Sequence, residues 1–249
     1  MTLSDRSKFD ILVVTGPTAC GKTSLAVALA AELDGEIISA DSRQVYRRMD
    51  IGTGKDLSEY TVEGKQIPYH MIDVADAGTR YNVYEWQQGF LNAYVNITNR
   101  GKLPILCGGT GMYIESVIKG YEFDGRHFPP FNSLIIGLVI SRDQRREKIS
   151  RRLRARLEEG MIEEVENLRA NGATDEFLYK LGLEYRYILM YLRGEFADFD
   201  AFYEKLFMEI RHLAKEQMTW FRKRTDINWI DMQKEPFEEA SRLIDGFFG

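Results

Sequence analysis

The chain has 249 residues, 44% of them hydrophobic, and a formal net charge of −5. This is enough for a substantial core in one large domain or two small ones. No apolar run reaches the roughly 18 residues that a membrane-spanning helix needs, and the opening segment MTLSDRSKFD is polar, unlike a signal peptide. We therefore expect a globular cytoplasmic protein without membrane contact, in which any nucleic acid must bind a local basic patch.

The first 120 residues alternate short apolar runs with amphipathic stretches, a rhythm typical of βαβ units. The runs ILVV and LPILC lack alternation, as in central strands that helices cover on both faces. EIISAD is a further strand candidate, and an amphipathic helix candidate ends near Ile97. The sequence thus predicts an α/β fold with a parallel sheet, and functional groups at the carboxyl ends of its strands.

The remainder of the chain is expected to be largely helical. Segment 120–132 is irregular, and SLIIGLVIS after it is a strand candidate for the same sheet. Apolar residues recur at helical spacing over 143–170 with a break near Gly160, and a second long helix is predicted over about 200–222. Because there is no internal repeat or low-complexity linker, this helical C-terminal part should pack on the sheet within a single domain, 1–249.

A phosphate-binding loop stands directly after the first strand candidate and before a helix, and it satisfies the pattern GxxxxGK[ST]. Glycines let backbone amides turn toward phosphate oxygens, and the following helix presents its positive end. The lysine supplies a cation, and the threonine hydroxyl suits Mg²⁺. The fold is therefore expected to be P-loop NTPase-like. The loop consists of Gly16, Pro17, Thr18, Ala19, Cys20, Gly21, Lys22 and Thr23.

The acidic residue that should accompany this loop is Asp41. ATPases, kinases and other transferases share the loop, so the rest of the sheet must distinguish them. An ordinary ATPase needs an acid at the end of a second apolar strand, but LPILC ends in GGTG, whereas Asp41 follows EIISA. From its position alone, Asp41 is a general base, a metal ligand through water, or the cap of a turn.

Other polar and aromatic residues have more ordinary interpretations. Cys20 and Cys107 lie in different segments and are expected to be buried or neutral thiols. His70 is expected to be a hydrogen-bonded structural residue, and Trp220 and Phe221 to be core residues, although they could stack on a base. Eight cations and two acids occupy 142–156, which is either a solvated helix face or a contact surface for phosphates.

At 39–55 the string SADSRQVYRRMDIGTGK resembles the signature of the tRNA dimethylallyltransferases, also called isopentenyl-pyrophosphate transferases. That family also has GPTxxGKT at the phosphate loop. Its block PxHxIDV is matched at 68–74, GGTGxY at 108–113, and AKxQxTWFR at 214–222. The blocks appear in family order and cover most of the chain.

The resemblance implies a prenyltransferase that moves the dimethylallyl group from dimethylallyl diphosphate to N6 of the adenine 3′ of the anticodon in tRNA. Asp41 would then be the general base, and Thr110 would contact the diphosphate near the reacting carbon. Mg²⁺, held by Thr23, would help the phosphate loop to stabilise the departing diphosphate. Further diphosphate contacts would come from Lys148 and Arg152, and contacts to the adenine or RNA from Ser42, Gln44, Lys215, Gln217 and Arg222.

The chain departs from the family pattern in three places. A helical insert that helps the family to grip the anticodon arm is absent, and 120–132 is a short remnant at its position. Lys148 stands where the family has an arginine, so the charge is kept but the bidentate fork is lost. Glu216 replaces a family cation.

These departures leave alternative functions open. An adenylate dimethylallyltransferase acting on free AMP, ADP or ATP is a near alternative, because such relatives also lack the insert. An ATP-dependent small-molecule kinase is opposed by the missing acid after LPILC. A non-catalytic RNA-binding paralogue is opposed by the joint retention of Lys22, Thr23, Asp41 and Thr110. We expect a monomer whose partners are dimethylallyl diphosphate and the tRNA anticodon arm, or else a free adenine nucleotide.

Overall fold

A computed structural model describes residues 10–123, 125 and 127–248. The polar opening segment therefore lies outside the described residues except for its last residue, as do positions 124 and 126 of the predicted remnant. Within the described part the strands are β1 (Ile11–Thr15), β2 (Gly35–Ala40), β3 (Thr61–Val62), β4 (Lys65–Gln66), β5 (Tyr69–His70), β6 (Leu103–Gly108), β7 (Ser133–Val139) and β8 (Ile227–Asp231). The helices are α1 (Lys22–Glu32), α2 (Val83–Asn99), α3 (Gly111–Ile118), α4 (Arg142–Glu158), α5 (Met161–Ala170), α6 (Asp175–Leu181), α7 (Leu183–Leu192), α8 (Phe199–Phe221) and α9 (Pro236–Phe248).

Six of the strands form one parallel sheet in the order β5-β2-β6-β1-β7-β8. In its middle, Val13 of β1 lies opposite Leu106 of β6 on one side and Ile135 of β7 on the other. Strands β3 and β4 form a separate antiparallel hairpin. The predicted parallel α/β fold is confirmed, and each strand candidate lies in the main sheet.

Helices cover both faces of the sheet, which explains the apolar runs without alternation. All five residues of β1 and all six of β6 are buried. Ile11 and Val13 belong to the core that contains α2, α3 and α8, while Leu12 and Val14 belong to the core that contains α1 and α9. Successive side chains of a strand point to opposite faces, so a strand covered on both sides needs an apolar residue at every position.

The C-terminal half follows the predicted helical pattern with one exception. The expected break separates α4 from α5 at Gly160, whose φ of 99° favours glycine, and α8 closely matches the second predicted helix. The expectation that the chain after SLIIGLVIS is helical was wrong at 227–231. These residues form β8, whose parallel pairing with β7 extends the sheet. In the portion that the structure describes, no helix is both long and apolar enough to cross a membrane.

Candidate active site

A cavity of about 520 Å³ opens at the carboxyl ends of β1, β2 and β6. The phosphate loop after β1, Asp41 after β2 and Gly109 after β6 form one side of it. Side chains of α4, α7 and α8 form the opposite side. The functional edge predicted from the strand pattern therefore coincides with a cavity, as is usual for open parallel sheets.

The phosphate loop brings a cation and a hydroxyl to this cavity. Gly16 has a φ of 147°, and a Cβ there would lie 2.8 Å from the carbonyl oxygen of Leu138. Only glycine therefore lets the loop pack this closely on β7. Lys22 Nζ donates to the Pro17 carbonyl oxygen at 2.9 Å, and both Lys22 and Thr23 line the cavity. These are the groups that phosphate binding requires.

Gln217 of α8 joins the phosphate loop to the loop after β6. Its Oε1 accepts a hydrogen bond from the Thr18 backbone N–H at 2.8 Å, and its Nε2 donates to the Gly109 carbonyl oxygen at 3.2 Å. A Cβ on Gly109 would lie 2.9 Å from that Nε2, so glycine permits this approach. Gln217 thus fixes the relative position of two loops that line the cavity. Its predicted contact with substrate stays a prediction.

Asp41 lines the cavity and also caps a turn. Its Oδ1 accepts from the Arg43 backbone N–H at 2.9 Å, which is the capping role that its position allows. The Arg43 side chain lies between two carboxylates, with Nε 3.8 Å from Asp41 Oδ1 and Nη1 2.9 Å from Glu184 Oε2. Burial lowers the pKa of Arg43, but Glu184 and Asp41 together raise it above its usual value. Arg43 therefore stays charged and holds the Asp41 carboxylate in place.

Two predicted site residues, Ser42 and Thr110, bond to each other. The Ser42 backbone N–H donates to Thr110 Oγ1 at 3.0 Å, and the two hydroxyl oxygens are 3.4 Å apart. Neither residue is among the described residues that line the cavity. Gln44 does line it, but its Oε1 accepts from Ser39 Oγ at 3.2 Å and its Nε2 donates to the Gly54 carbonyl oxygen at 3.0 Å. The substrate contacts predicted for Ser42, Gln44 and Thr110 stay predictions.

Cations of α4 form much of the opposite wall. Lys148, Arg151, Arg152 and Arg156 all line the cavity. Arg152 Nη2 donates to Thr18 Oγ1, so this helix contacts the phosphate loop directly. Burial lowers the pKa of Arg152 to about 10, and the adjacent charge of Arg156 contributes to that shift. A guanidinium held between other cations favours the arrival of an anion. The diphosphate contacts predicted for Lys148 and Arg152 stay predictions.

Glu164 of α5 holds a loop that lines the cavity. Its Oε2 accepts from the backbone N–H groups of Asp50 at 2.7 Å and Ile51 at 2.8 Å, and its Oε1 accepts from Gly52 N–H at 3.0 Å. The hydroxyl of Tyr185 donates to the same Oε1 at 2.8 Å. Burial and Glu164 both raise the pKa of Tyr185, so this hydroxyl remains a donor. One carboxylate thereby fixes three consecutive backbone amides.

Sequence reasoning did not assign several residues of the cavity wall. The signature DIGTGK was recognised, but no function was assigned to its glycines or its threonine. No motif pointed to Asp56, Glu59 or Tyr60, which follow it. The basic run predicted phosphate contacts without saying which of its members face the cavity. Among the unassigned wall residues are Arg43, Thr53, Gly54, Asp56, Glu59, Tyr60, Arg151, Arg156 and Glu184.

Two of the predicted substrate residues lie outside this cavity. Lys215 and Arg222 are exposed, and Lys215 lines two grooves on the outer side of α8. Phe221 is buried, as predicted. Trp220 is only half-buried, because its indole packs over Gly111 and borders one of those grooves. The expectation that Trp220 is a core residue therefore holds only in part.

The remaining candidates have structural environments. His70 Nε2 lies 2.7 Å from Glu36 Oε2, which agrees with a structural histidine. Both cysteines are buried, and burial raises the pKa of the Cys107 thiol to about 12, so it is neutral. Among the described residues, no three His, Cys, Asp or Glu side chains form a metal-binding cluster.

The family model described as IPP transferase matches residues 44–130 and 122–224. The tRNA dimethylallyltransferase 1 of Parabacteroides distasonis is 44% identical over an alignment that covers 90% of this chain and 92% of that protein. The tRNA dimethylallyltransferase 2 of Bacteroides fragilis is 43% identical, with 98% of each chain covered.

A solved structure agrees with these sequence matches. The full-length tRNA isopentenylpyrophosphate transferase from Bacillus halodurans superposes with a TM-score of 0.85 at 29% identity, and the match covers 96% of both chains. Sequence and fold therefore agree over nearly the whole chain, which belongs to the IPP transferase family of prenyltransferases.

Proposed function

We propose that this chain transfers the dimethylallyl group from dimethylallyl diphosphate to N6 of an adenine in tRNA, the adenine 3′ of the anticodon. One observation carries the proposal: the phosphate loop and the Asp41 carboxylate line the same cavity. A single site thus has one group suited to a leaving diphosphate and one suited to an amine proton. The relatives named tRNA dimethylallyltransferase support this choice of reaction.

The proposed reaction breaks the bond between C1 of the dimethylallyl group and the diphosphate oxygen, and forms a bond from that carbon to N6. Negative charge then develops on the diphosphate, where Lys22, Lys148 and Arg152 stabilise it. The N6 amine loses a proton as the new bond forms, and Asp41 accepts it. Because Arg43 already occupies one carboxylate oxygen, Oδ2 is the oxygen proposed to take the proton.

We also propose that Mg²⁺ takes part, with Thr23 as its protein ligand. The donors in the cavity fit this ion, because Mg²⁺ keeps several waters and binds substrate phosphates together with few protein oxygens. Thr23 and Asp41 both line the cavity, so a hydroxyl oxygen and a carboxylate stand near the expected position of the diphosphate. When bound, the ion would neutralise charge on the departing diphosphate.

We propose that this chain holds its tRNA acceptor differently from the family pattern, with segment 120–132 in place of the family's helical insert. The family model matches in two pieces that overlap at 122–130. The alignment with the Bacteroides fragilis relative has 306 positions against 249 residues here, so at least 57 positions have no counterpart in this chain. Such a chain must hold RNA mainly through its catalytic domain.

The test is a transfer assay with radiolabelled dimethylallyl diphosphate, offered in parallel to tRNA lacking the modification, to AMP and to ATP. Label in tRNA alone is the expected result. Label in a mononucleotide alone would instead identify an adenylate dimethylallyltransferase, and absence of label from all three would refute the proposed activity.

A matched pair of variants then tests the general base. Asp41→Asn should bind dimethylallyl diphosphate normally but lose about 100-fold or more in kcat, the usual contribution of a positioned base. Asp56→Asn removes another carboxylate from the same cavity wall and should cost less than about tenfold, because charge alone is not the requirement. Equal losses in the two variants would remove Asp41 from its proposed role.

A further inference from the structure

A second basic site lies on the outer side of the molecule, where α4 and α8 meet. Its groove has a volume of about 180 Å³ and is lined by six residues, of which Asp143 is the single acid. The other five form what we name the basic cradle: Arg142, Arg145, Arg146, Arg211 and Lys215.

In the part of the chain that the structure describes, none of the five cations of the basic cradle takes part in an ion pair. Burial lowers the pKa of Arg145, and the charges of Arg142 and Arg222 lower it further, so exposed Arg222 also lies within electrostatic reach. Elsewhere on this protein helix cations pair with an acid at i,i+4 spacing, as Lys180 does with Glu176 and Lys205 with Glu209.

The position of the cradle on α4 argues against a purely stabilising role. Arg142, Arg145 and Arg146 occupy the first two turns of that helix, at the end where the helix dipole is positive. Cations at this end destabilise a helix, whereas anions bound there are favoured. The three arginines therefore do not stabilise the helix, and their position favours the binding of an anion.

A track of cations on α4 connects the cradle to the active-site cavity. Arg145 lines the cradle, and Lys148, Arg152 and Arg156 line the cavity. The spacings of three, four and four residues place all four on one face of the helix. From Arg145 to Arg152 the helix rises only about 10 Å, so one polyanion can contact both sites.

We propose that the basic cradle binds the phosphodiester backbone of the RNA stem whose flipped adenine enters the cavity. This inference rests on the proposed tRNA substrate and assigns to the catalytic domain the grip that an insert would otherwise provide. Phosphate contacts carry no sequence information, so the cradle sets affinity and orientation while the cavity selects the base. A free phosphate would be attracted by the same cations, but it is too small to contact the cradle and the cavity cations of α4 at the same time.

The test compares two triple variants that remove equal charge. Arg142→Ala/Arg146→Ala/Arg211→Ala removes three exposed cations from the cradle, and Lys65→Ala/Arg80→Ala/Lys234→Ala removes three exposed cations elsewhere. Binding of unmodified tRNA is measured by fluorescence anisotropy from 50 to 300 mM KCl, without dimethylallyl diphosphate. Inorganic phosphate and AMP serve as competitors that test whether a small anion satisfies the cradle.

We expect the cradle variant to bind tRNA about 10- to 100-fold more weakly at 0.1 M salt, and its slope of log K against log[KCl] to fall by about 2 to 3. The control variant should change each by much less. In the transfer assay the cradle variant should raise KM for tRNA and leave kcat unchanged. Three results would overturn the proposal. They are equal slopes for the two triple variants, no tRNA binding by the wild-type protein, and full competition by phosphate at matched ionic strength.

These results separate the cradle from the reaction. Salt-dependent tRNA binding that needs the cradle, in a protein that transfers no label, would support the cradle and refute the proposed function. If the cradle substitutions leave transfer to tRNA unchanged, the result would support the proposed function and refute the cradle.

Discussion

Replacing Glu164 by glutamine tests how far the cavity depends on one distant carboxylate. Each of its oxygens accepts two hydrogen bonds: Oε2 from the amides of Asp50 and Ile51, and Oε1 from Gly52 N–H and the Tyr185 hydroxyl. Glutamine keeps one oxygen and turns the other into an NH₂ donor. Whichever way the amide is oriented, two of the four donors lose their acceptor and face the NH₂ group of the glutamine.

The size of the effect follows from these lost bonds. A hydrogen bond to a charged group contributes about 1.5–3 kcal/mol, and a buried donor left unpaired loses its solvation as well. Asp50 is exposed and its amide can turn to water, whereas Gly52 and Tyr185 are buried. We therefore expect Glu164→Gln to lower the free energy of unfolding by about 2–4 kcal/mol. For a chain of this size that corresponds to a fall in Tm of roughly 5–15 °C.

The assay is urea unfolding followed by circular dichroism, with the prenyl-transfer assay in parallel. Glu163→Gln is the matched control, because its side chain is exposed on the same helix and should change stability by less than about 0.5 kcal/mol. Tyr185→Phe closes a double-mutant cycle, and its coupling with Glu164→Gln should be at least about 0.5 kcal/mol. Equal stability of the two glutamine variants would refute the idea that Glu164 holds the loop.

Three further variants test the phosphate loop, the loop bridge and a buried carboxylate. Lys22→Ala should weaken dimethylallyl diphosphate binding at least about tenfold by calorimetry, since a charge-assisted contact is lost, and unchanged affinity would count against the phosphate site. Gln217→Ala removes both hydrogen bonds that join the two cavity loops and should lower kcat/KM about 10- to 100-fold with a small change in Tm, whereas wild-type turnover would show the bridge to be dispensable. Burial raises the pKa of Glu36, but hydrogen bonds from Arg100 and His70 leave it below its usual value of 4.5. Its contribution to stability is therefore present above pH 4.5 and is lost as the pH falls through the folded-state pKa, so Glu36→Gln should flatten that acid-side loss in urea titrations.

Local sequence signals were sufficient for the four inner strands of the main sheet and for the phosphate loop. An unbroken apolar run marks a strand covered on both faces, and β1 and β6 are such strands. The loop motif needs only eight consecutive residues in the right context, between a strand and a helix. The edge strand β8 was missed because five residues next to a long helical pattern give little periodicity, and only pairing with β7 makes them a strand.

The support around the site could not be read from the sequence, because it depends on distant parts of the chain. Gln217 meets Thr18 across 199 positions, and Glu164 meets Ile51 across 113. No local pattern predicts such pairs. In the sequence, a helical glutamine or glutamate that contacts a distant loop looks the same as one that faces solvent. Asp41 shows the opposite case, because its place at the carboxyl end of a strand predicted a position at the functional edge and allowed a turn cap, and the fold shows both.

The lysine at position 148 illustrates why a single substitution at this site has to be judged with its neighbours. Lysine lacks the planar fork that lets arginine bind two phosphate oxygens at once, so the sequence alone suggests a weaker diphosphate contact. In the folded chain, however, three arginines of the same helix line the same cavity, and one of them bonds to the phosphate loop. Burial among like charges lowers the pKa of Arg152 to about 10, so its guanidinium gains more from an arriving anion than an exposed arginine would. Under the proposed function, Arg152 would therefore offer diphosphate a forked contact one turn further along α4, and Lys148 would need to supply only charge.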